Sequence, residues 1–187
     1  MTKALIVYGT RYGATASTSE EIAEVLRKEG FDVRVVNAKE KKVRDISEYE
    51  LVVVGSGIKM GKWTSEPQKF LKKFQKELAK KKVAIFVSSG AQAIIEHEGK
   101  PEEIGKAWRE YLEEKAANYS LRPIALGLFG GVWDYNKMGF FFRKAMSAYK
   151  QNIEAASIKE TEPGVYDTRD WSVIRSWAKE LAQKVRS

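Results

Sequence analysis

The sequence contains no cysteine among its 187 residues and only one histidine, His97. Without cysteine, disulfides, thiolate metal sites, iron–sulfur clusters and cysteine nucleophiles are all excluded. A single imidazole cannot build a multi-histidine metal centre, and His97 stands between Glu96 and Glu98, where a surface position is expected. We therefore predict no metal site and no side chain as general base. Any redox chemistry of this chain must come from a bound cofactor.

Long apolar runs are also absent. No run approaches the roughly 18 residues that a membrane-spanning helix needs. No secretory apolar region follows Met1, because Lys3 comes almost directly after it. We expect a cytoplasmic protein, either free or held peripherally at the inner face of the cell membrane.

Acidic residues are outnumbered, with 25 Asp and Glu against 33 Lys and Arg and a net charge of +8. This sign favours an anionic partner, such as lipid headgroups, a carboxylate-bearing substrate or nucleic acid. No motif that reads nucleic acid accompanies the charge, so no nucleic-acid partner is expected.

Short apolar runs of β-branched residues alternate with helical patterns along the chain. The runs cover residues 4–8, 33–36, 51–54, 83–87 and 124–129. Continuous runs of this length are typical of strands buried on both faces of a parallel sheet. We predict a single α/β domain over residues 1–187, a three-layer sandwich whose five-stranded parallel sheet has the order 2-1-3-4-5.

One segment interrupts the alternation. Residues 132–168 intervene between the fifth strand and the last helix, and we interpret them as a helical insertion. Within it, Met138 to Lys150 is rich in aromatic and basic residues with apolar side chains at helical spacing. These aromatics could rest on a membrane surface, fold back as a satellite core, or line a cleft over the ligand.

The loop after the first strand, Thr10 to Thr15, opens a helix. Backbone amides at a helix N-terminus bind phosphate well, threonine hydroxyls add hydrogen bonds, and Gly13 permits close approach. The alternative is an ordinary strand–helix turn. We expect Ser17 or Thr18 to cap this helix, with residues 16–19 lengthening the loop by about one helical turn.

Thr10-Arg11-Tyr12-Gly13-Ala14-Thr15 resembles the phosphate loop with which flavodoxins hold FMN. Residues 55–63 and 86–90 occupy the places of the two flavin-binding loops of that family. Leu128 to Gly131, followed by Asp134-Tyr135, the basic aromatic segment and Asp170-Trp171, more narrowly resembles the menaquinone-dependent protoporphyrinogen dehydrogenases, in which an insertion of this kind interrupts the fold.

The resemblance implies an FMN-binding site built from four segments. Its predicted residues are Thr10, Arg11, Tyr12, Gly13, Ala14 and Thr15; Ile58, Lys59, Met60, Gly61, Lys62 and Trp63; Ser88, Ser89 and Gly90; and Gly130, Gly131, Trp133, Asp134 and Tyr135. Trp63 either stacks on the flavin or covers the core from its loop. Arg11 either pairs with the phosphate or points outward.

The resemblance further implies an FMN-dependent oxidoreductase that passes electrons from an organic donor, such as an anionic tetrapyrrole, to a quinone-type acceptor. The alternative is a flavodoxin-type electron carrier that turns over no small molecule. Carrier flavodoxins are acidic as a family, whereas this chain is basic, which disfavours docking to the same partners by charge. Peripheral membrane contact through residues 137–153 is a further expectation.

Overall fold

The computed structural model describes all 187 residues. Its strands are β1 (Lys3–Gly9), β2 (Asp32–Asn37), β3 (Leu51–Lys59), β4 (Lys62–Trp63), β5 (Lys82–Ser88), β6 (Ala125–Phe129), β7 (Val132–Asp134), β8 (Glu160–Glu162) and β9 (Val165–Asp167). Its helices are α1 (Ala14–Lys28), α2 (Ser65–Lys73), α3 (Gln75–Leu78), α4 (Gln92–His97), α5 (Pro101–Trp108), α6 (Glu114–Asn118), α7 (Phe140–Met146), α8 (Tyr149–Ala155) and α9 (Trp171–Arg186). A π-helical turn, Arg109–Glu113, joins α5 to α6.

The central sheet has the order β2-β1-β3-β5-β6, and all four pairings along it are parallel. The two-residue strand β4 pairs antiparallel with the end of β3, where Ile58 faces Trp63. With β4 set aside, this is the predicted order 2-1-3-4-5, so the predicted fold class is confirmed. All five predicted strands form, and β3 runs past its predicted end into the hairpin with β4.

Alternate side chains of the strands feed two separate cores. Leu5 and Val7 of β1 pack into one core, with side chains from α2, α3 and the helix after Pro101. Ala4 and Ile6 pack into the other, with α1 and α9. This period of two places helices on both faces of the sheet and explains why the central strands contain continuous apolar runs.

Residues 132–168 form the predicted insertion, with more structure than a helix alone. Strands β7, β9 and β8 make a three-stranded antiparallel sheet in that order. The apolar positions at helical spacing from Met138 to Ile153 form two helices and not one, α7 and α8, with Ser147 and Ala148 between them. None of the helices is long and apolar enough to cross a membrane.

Candidate functional site

The carboxyl ends of the parallel strands share one edge of the sheet, the usual ligand position in such folds. There a cavity of about 570 Å³, the edge cavity, lies between the strand loops and the insertion helices. Most of the predicted site residues line it, namely Thr10, Arg11, Tyr12, Ala14, Thr15, Ile58, Lys59, Met60, Gly61, Ser88, Ser89, Gly90, Gly131 and Trp133. Sequence reasoning therefore identified four segments that the fold brings together.

The loop after β1 closes directly onto α1. Gly13 precedes the helix with a φ of 100°, a left-handed conformation that favours glycine. Its own amide donates to Thr10 Oγ1 at 3.0 Å. No side chain caps the helix, so the first-turn amides face outward at the positive end of the helix dipole. Gly13 thus shapes the loop without lining the edge cavity itself.

The predicted start of this helix is wrong. We expected Ser17 or Thr18 to cap it and residues 16–19 to lengthen the loop, but α1 begins at Ala14 and contains all of them. Ser17 Oγ instead donates to the Gly13 carbonyl at 3.3 Å. Hydroxyls inside a helix commonly bond to a carbonyl one turn back, which makes them neither caps nor anion ligands.

Thr15, in the first turn of α1, lines the edge cavity. The residue is 1% exposed. Its Oγ1 lies 3.1 Å from the position that a Cβ would take at Gly57, so the end of β3 packs closely against it. A glycine at this point of β3 leaves room for the threonine side chain beside the cavity.

A lysine of the insertion binds the loop from above. Lys137 Nζ donates to the Tyr12 carbonyl at 3.2 Å and lies 3.2 Å from Asp134 Oδ2. The sequence showed Lys137 only as one charge of the insertion, because the contact joins residues 125 positions apart. A cation beside the start of a helix opposes the helix dipole, and an anion bound there would relieve that repulsion.

An arginine after β9 makes a second contact with the start of α1. Arg169 Nη1 donates to the Ala14 carbonyl at 3.1 Å, and the guanidinium binds Asp167 through Nε at 2.9 Å and Nη2 at 2.7 Å. Burial tends to raise the pKa of Asp167, but the hydrogen bonds from Arg169 outweigh it and hold that pKa below its ordinary value. Sequence analysis did not identify this pair, which no local pattern marks.

The loops after β5 and β6 meet at the opposite side of the edge cavity. Trp133 Nε1 donates to the Gly90 carbonyl at 2.9 Å, and a Cβ at Gly90 would lie 2.6 Å from that nitrogen. The ring of Trp133 stacks on that of Tyr149, with centroids 6.1 Å apart. Ser88 Oγ, in a residue only 4% exposed, faces this region without a hydrogen-bond partner.

Trp63 does not line the edge cavity. It is 6% exposed, belongs to a core cluster, and donates from Nε1 to the Tyr111 carbonyl at 3.0 Å. With Lys62, it lines a neighbouring cavity instead. This position favours the alternative in which Trp63 covers the core from its loop, because the hairpin of β3 with β4 turns its ring inward.

Three predicted residues after β6 also lie outside the edge cavity. Gly130 packs against the backbone of Thr168, where a Cβ would lie 2.2 Å from the carbonyl oxygen. Asp134 is buried and is the acidic partner of Lys137 in the ion pair described above. Tyr135 donates from its hydroxyl to the Met146 carbonyl at 3.2 Å. These residues support the insertion, so their effect on a ligand in the cavity is indirect.

The aromatic segment of the insertion lies in three different environments. Five of its residues line the edge cavity: Met138, Phe142, Ala145, Met146 and Tyr149. Ile153 is fully buried in a small cluster with Ile94 and Tyr166, which is the satellite core. Phe140 and Phe141 remain 73% and 86% exposed.

Tyr111 lines the edge cavity and was not among the predicted site residues. It lies on the π-helical turn, a geometry frequent at functional sites. Burial raises the pKa of its phenol, which keeps the group protonated at neutral pH. The sequence shows this region only as a helical pattern between two predicted strands, since a π-turn has no distinct spacing signal.

Comparison with known proteins gives two kinds of likeness. A family model described as flavodoxin domain matches residues 5–158. The protoporphyrinogen IX dehydrogenase [quinone] of Escherichia coli (strain K12) is 25% identical over 187 residues, covering 96% of this chain and 94% of the relative. A Leishmania major protein of the same name is 26% identical over 183 residues, covering 96% of this chain and 74% of the relative.

Solved structures show the same architecture. A flavodoxin from the domain Archaea has a TM-score of 0.58 and 18% identity, with both chains covered in full at 100%. A short-chain flavodoxin associated with a non-canonical PDU bacterial microcompartment has a TM-score of 0.59 and 14% identity, with 99% of each chain covered. At these identities the likeness concerns the fold alone.

Proposed function

The chain belongs to the flavodoxin domain family, and from that premise we propose that it is an FMN-dependent oxidoreductase. It takes electrons from an organic donor of the porphyrinogen type and delivers them to a quinone. The observation that carries this proposal is the edge cavity. On one side it is flanked by α1, which follows Gly13 and has no side-chain cap, and on another side it is covered by the insertion. The printed names of the similar proteins supply the classes of donor and acceptor.

The residues at the α1 end of the edge cavity fit a phosphate group. The loop offers first-turn amides, the hydroxyls of Thr10 and Thr15, and the cation of Arg11, and Lys137 contacts the same loop at the Tyr12 carbonyl. Hydrogen bonds between such donors and a phosphate are shorter and stronger than those between neutral groups. FMN would place its phosphate here.

The remainder of the edge cavity fits a flat aromatic ring system. Its volume of about 570 Å³ falls inside the roughly 300–1,000 Å³ usual for cofactor and ligand pockets. Trp133, Phe142, Met146 and Tyr149 supply apolar walls. The unpartnered Ser88 hydroxyl and the glycine backbone beside it supply polar partners for the edge of a ring.

The chemistry follows from what lines the cavity. No Asp, Glu or His does so, and the Tyr111 phenol stays protonated. When bound, FMN supplies reversible acceptance of two electrons. Each two-electron step removes two electrons and two protons from the donor, and the quinone leaves as a quinol. The side chains of this protein bind and orient the reactants and limit the entry of water.

Phe140 and Phe141 favour access of the quinone from a membrane surface. They stand exposed beside Arg143 and Lys144, on the helix that covers the edge cavity. Aromatic side chains enter the headgroup region, and each nearby cation adds about 1 kcal/mol with anionic lipid. A lipid-dissolved quinone could then reach the cavity without crossing bulk water.

Vesicle sedimentation tests this membrane contact. Wild type is expected to sediment with vesicles that contain anionic lipid, and the variant Phe140→Ser/Phe141→Ser is expected to stay in solution. Val173→Ser is the control, because Val173 is 52% exposed on α9. Equal binding by all three proteins, or binding to neutral and anionic vesicles alike, contradicts the contact.

An anaerobic assay tests the proposed activity. Protein reconstituted with FMN is mixed with protoporphyrinogen IX, and menadione is then added; formation of porphyrin fluorescence and loss of quinone absorbance are followed. We expect both, in a ratio of three quinones per porphyrin, since three two-electron steps separate the porphyrinogen from the porphyrin. Flavin binding without porphyrin formation would instead support a flavodoxin-type carrier, and failure to bind FMN would contradict both functions.

A further inference from the structure

A second cavity, of about 780 Å³, adjoins the edge cavity and is strongly basic. We call it the basic cleft. Five cationic side chains line it against one carboxylate, Glu66: they are Arg11, Lys39, Lys59, Lys62 and Lys137. A recess walled largely by charges of one sign concentrates the field and attracts anions.

Most of these cations have no anionic partner. Arg11, Lys39 and Lys62 form no ion pair, and all three are exposed. Lys59 instead places its Nζ over the Phe142 ring, 4.3 Å from the centroid. Lys137 alone pairs, with Asp134. Such uncompensated like charges repel one another, and a bound anion would relieve the repulsion.

The single carboxylate does little to neutralise the basic cleft. Glu66 lies in the first turn of α2, and a hydrogen bond from its own backbone amide is the largest cause of its lowered pKa. The charges of Lys69 and Lys39 lower that pKa as well, so Glu66 offsets part of the Lys39 charge, but one carboxylate does not balance five cations. The cleft keeps a net positive lining at neutral pH.

The two cavities share residues, and this juxtaposition decides what kind of anion fits. Thr10, Arg11, Tyr12, Lys59 and Met60 line both. A ligand that reaches from one cavity into the other meets apolar and aromatic walls first and cations second. Its chemistry is therefore a flat apolar body with anionic groups at one edge, and the carboxylates of a porphyrinogen-type donor are such groups.

We propose that the basic cleft is the carboxylate-binding subsite for the electron donor, with Lys39 and Lys62 as specificity residues. This inference rests on the proposed function, because the donor must lie beside the cofactor in the edge cavity. Lys39 reaches the cleft from the end of β2 and Lys62 from the start of β4. Lys39 follows the strand that pairs with β1, and Lys62 lies on the strand that pairs with β3. The two lysines would therefore approach the donor carboxylates from different sides of the cleft.

Binding of a porphyrin dicarboxylate to the FMN-loaded protein tests the subsite. The probes are protoporphyrin IX and its dimethyl ester, followed by quenching of tryptophan fluorescence. The variants are Lys39→Gln and Lys39→Glu, with Lys179→Gln and Lys179→Glu as matched controls. Lys179 is likewise exposed, forms no ion pair and lies on α9, away from both cavities.

We expect the free dicarboxylate to bind about tenfold more tightly than the ester, the scale of two exposed ion pairs. Lys39→Gln should weaken it about threefold, the scale of an exposed ion pair, and Lys39→Glu should weaken it further. Ester binding, FMN affinity and both Lys179 variants should stay at wild-type values.

Equal binding of acid and ester, or equal effects of the Lys39 and Lys179 variants, overturns the subsite. Loss of FMN affinity in the Lys39 variants would place the flavin phosphate in the cleft and also overturn it. Failure of wild type to bind FMN would instead contradict the proposed function.

Discussion

Thr15→Val offers a direct perturbation of the predicted phosphate site. Thr15 is 1% exposed and lines the edge cavity from the first turn of α1. Valine keeps the branched shape and removes only the hydroxyl. A hydrogen bond to a charged group contributes about 1.5–3 kcal/mol, so its loss should raise the Kd of FMN by roughly 10-fold to 150-fold.

Thr18→Val provides the matched control. Thr18 lies one turn further along the same helix, fully buried, with its hydroxyl unpartnered and outside the edge cavity. Removing that hydroxyl should leave the Kd of FMN unchanged and the free energy of unfolding equal or higher. Fluorescence titration with FMN measures the affinities, and urea unfolding of the apoprotein measures the stabilities. An unchanged Kd in Thr15→Val, or equal weakening in both variants, refutes the assignment.

Three further changes have expected outcomes. Gly13→Ala places a side chain on a residue whose φ is 100°, which should lower the free energy of unfolding by about 1–2 kcal/mol. Calorimetry should show a Tm lower by roughly 2–8 °C. An unchanged Tm would contradict the strained geometry. Trp133→Phe removes the hydrogen bond to the Gly90 carbonyl and should lower the urea midpoint by the equivalent of about 1 kcal/mol, and no change would show the bond to be dispensable. Burial tends to raise the pKa of Asp167, but Arg169 holds that pKa in the folded state below the ordinary value of 3.8. The ionised carboxylate therefore stabilises the fold at neutral pH. This contribution is lost as the pH falls from 3.8 through the lower pKa of the folded state. The stability difference between wild type and Asp167→Asn should therefore shrink from pH 7 to pH 3 in urea titrations, and a constant difference would contradict the linkage.

Local patterns predicted the framework well. Strands buried on both faces are typically continuous runs of apolar, often β-branched residues. Residues 4–8 and 83–87 therefore predicted β1 and β5, although the strands that pair with them were not yet known. Because parallel strands share one carboxyl edge, the loops that follow them were bound to meet. The position of the edge cavity follows from those two facts.

Contacts between distant parts of the chain escaped sequence reasoning. Lys137 and Arg169 bind the start of α1 across 125 and 155 positions, and neither belongs to a local pattern. The ring of Trp63 faces the core because the two-residue strand β4 forms a hairpin with β3. A strand this short has no apolar run from which it could be predicted. The predicted start of α1 was wrong because serine is a residue type that commonly caps helices, which made Ser17 a candidate. In the structure the N-cap position is occupied by Gly13, in a left-handed conformation.

Calorimetric titration with FMN and riboflavin side by side tests the central claim most directly. The two ligands share the ring and the ribityl chain and differ only in the phosphate that the start of α1 is proposed to hold. With at least two charge-assisted hydrogen bonds at stake, FMN should bind about 100-fold or more tightly than riboflavin. Equal affinities would contradict a phosphate site in this loop, and with it the assignment of FMN as the cofactor.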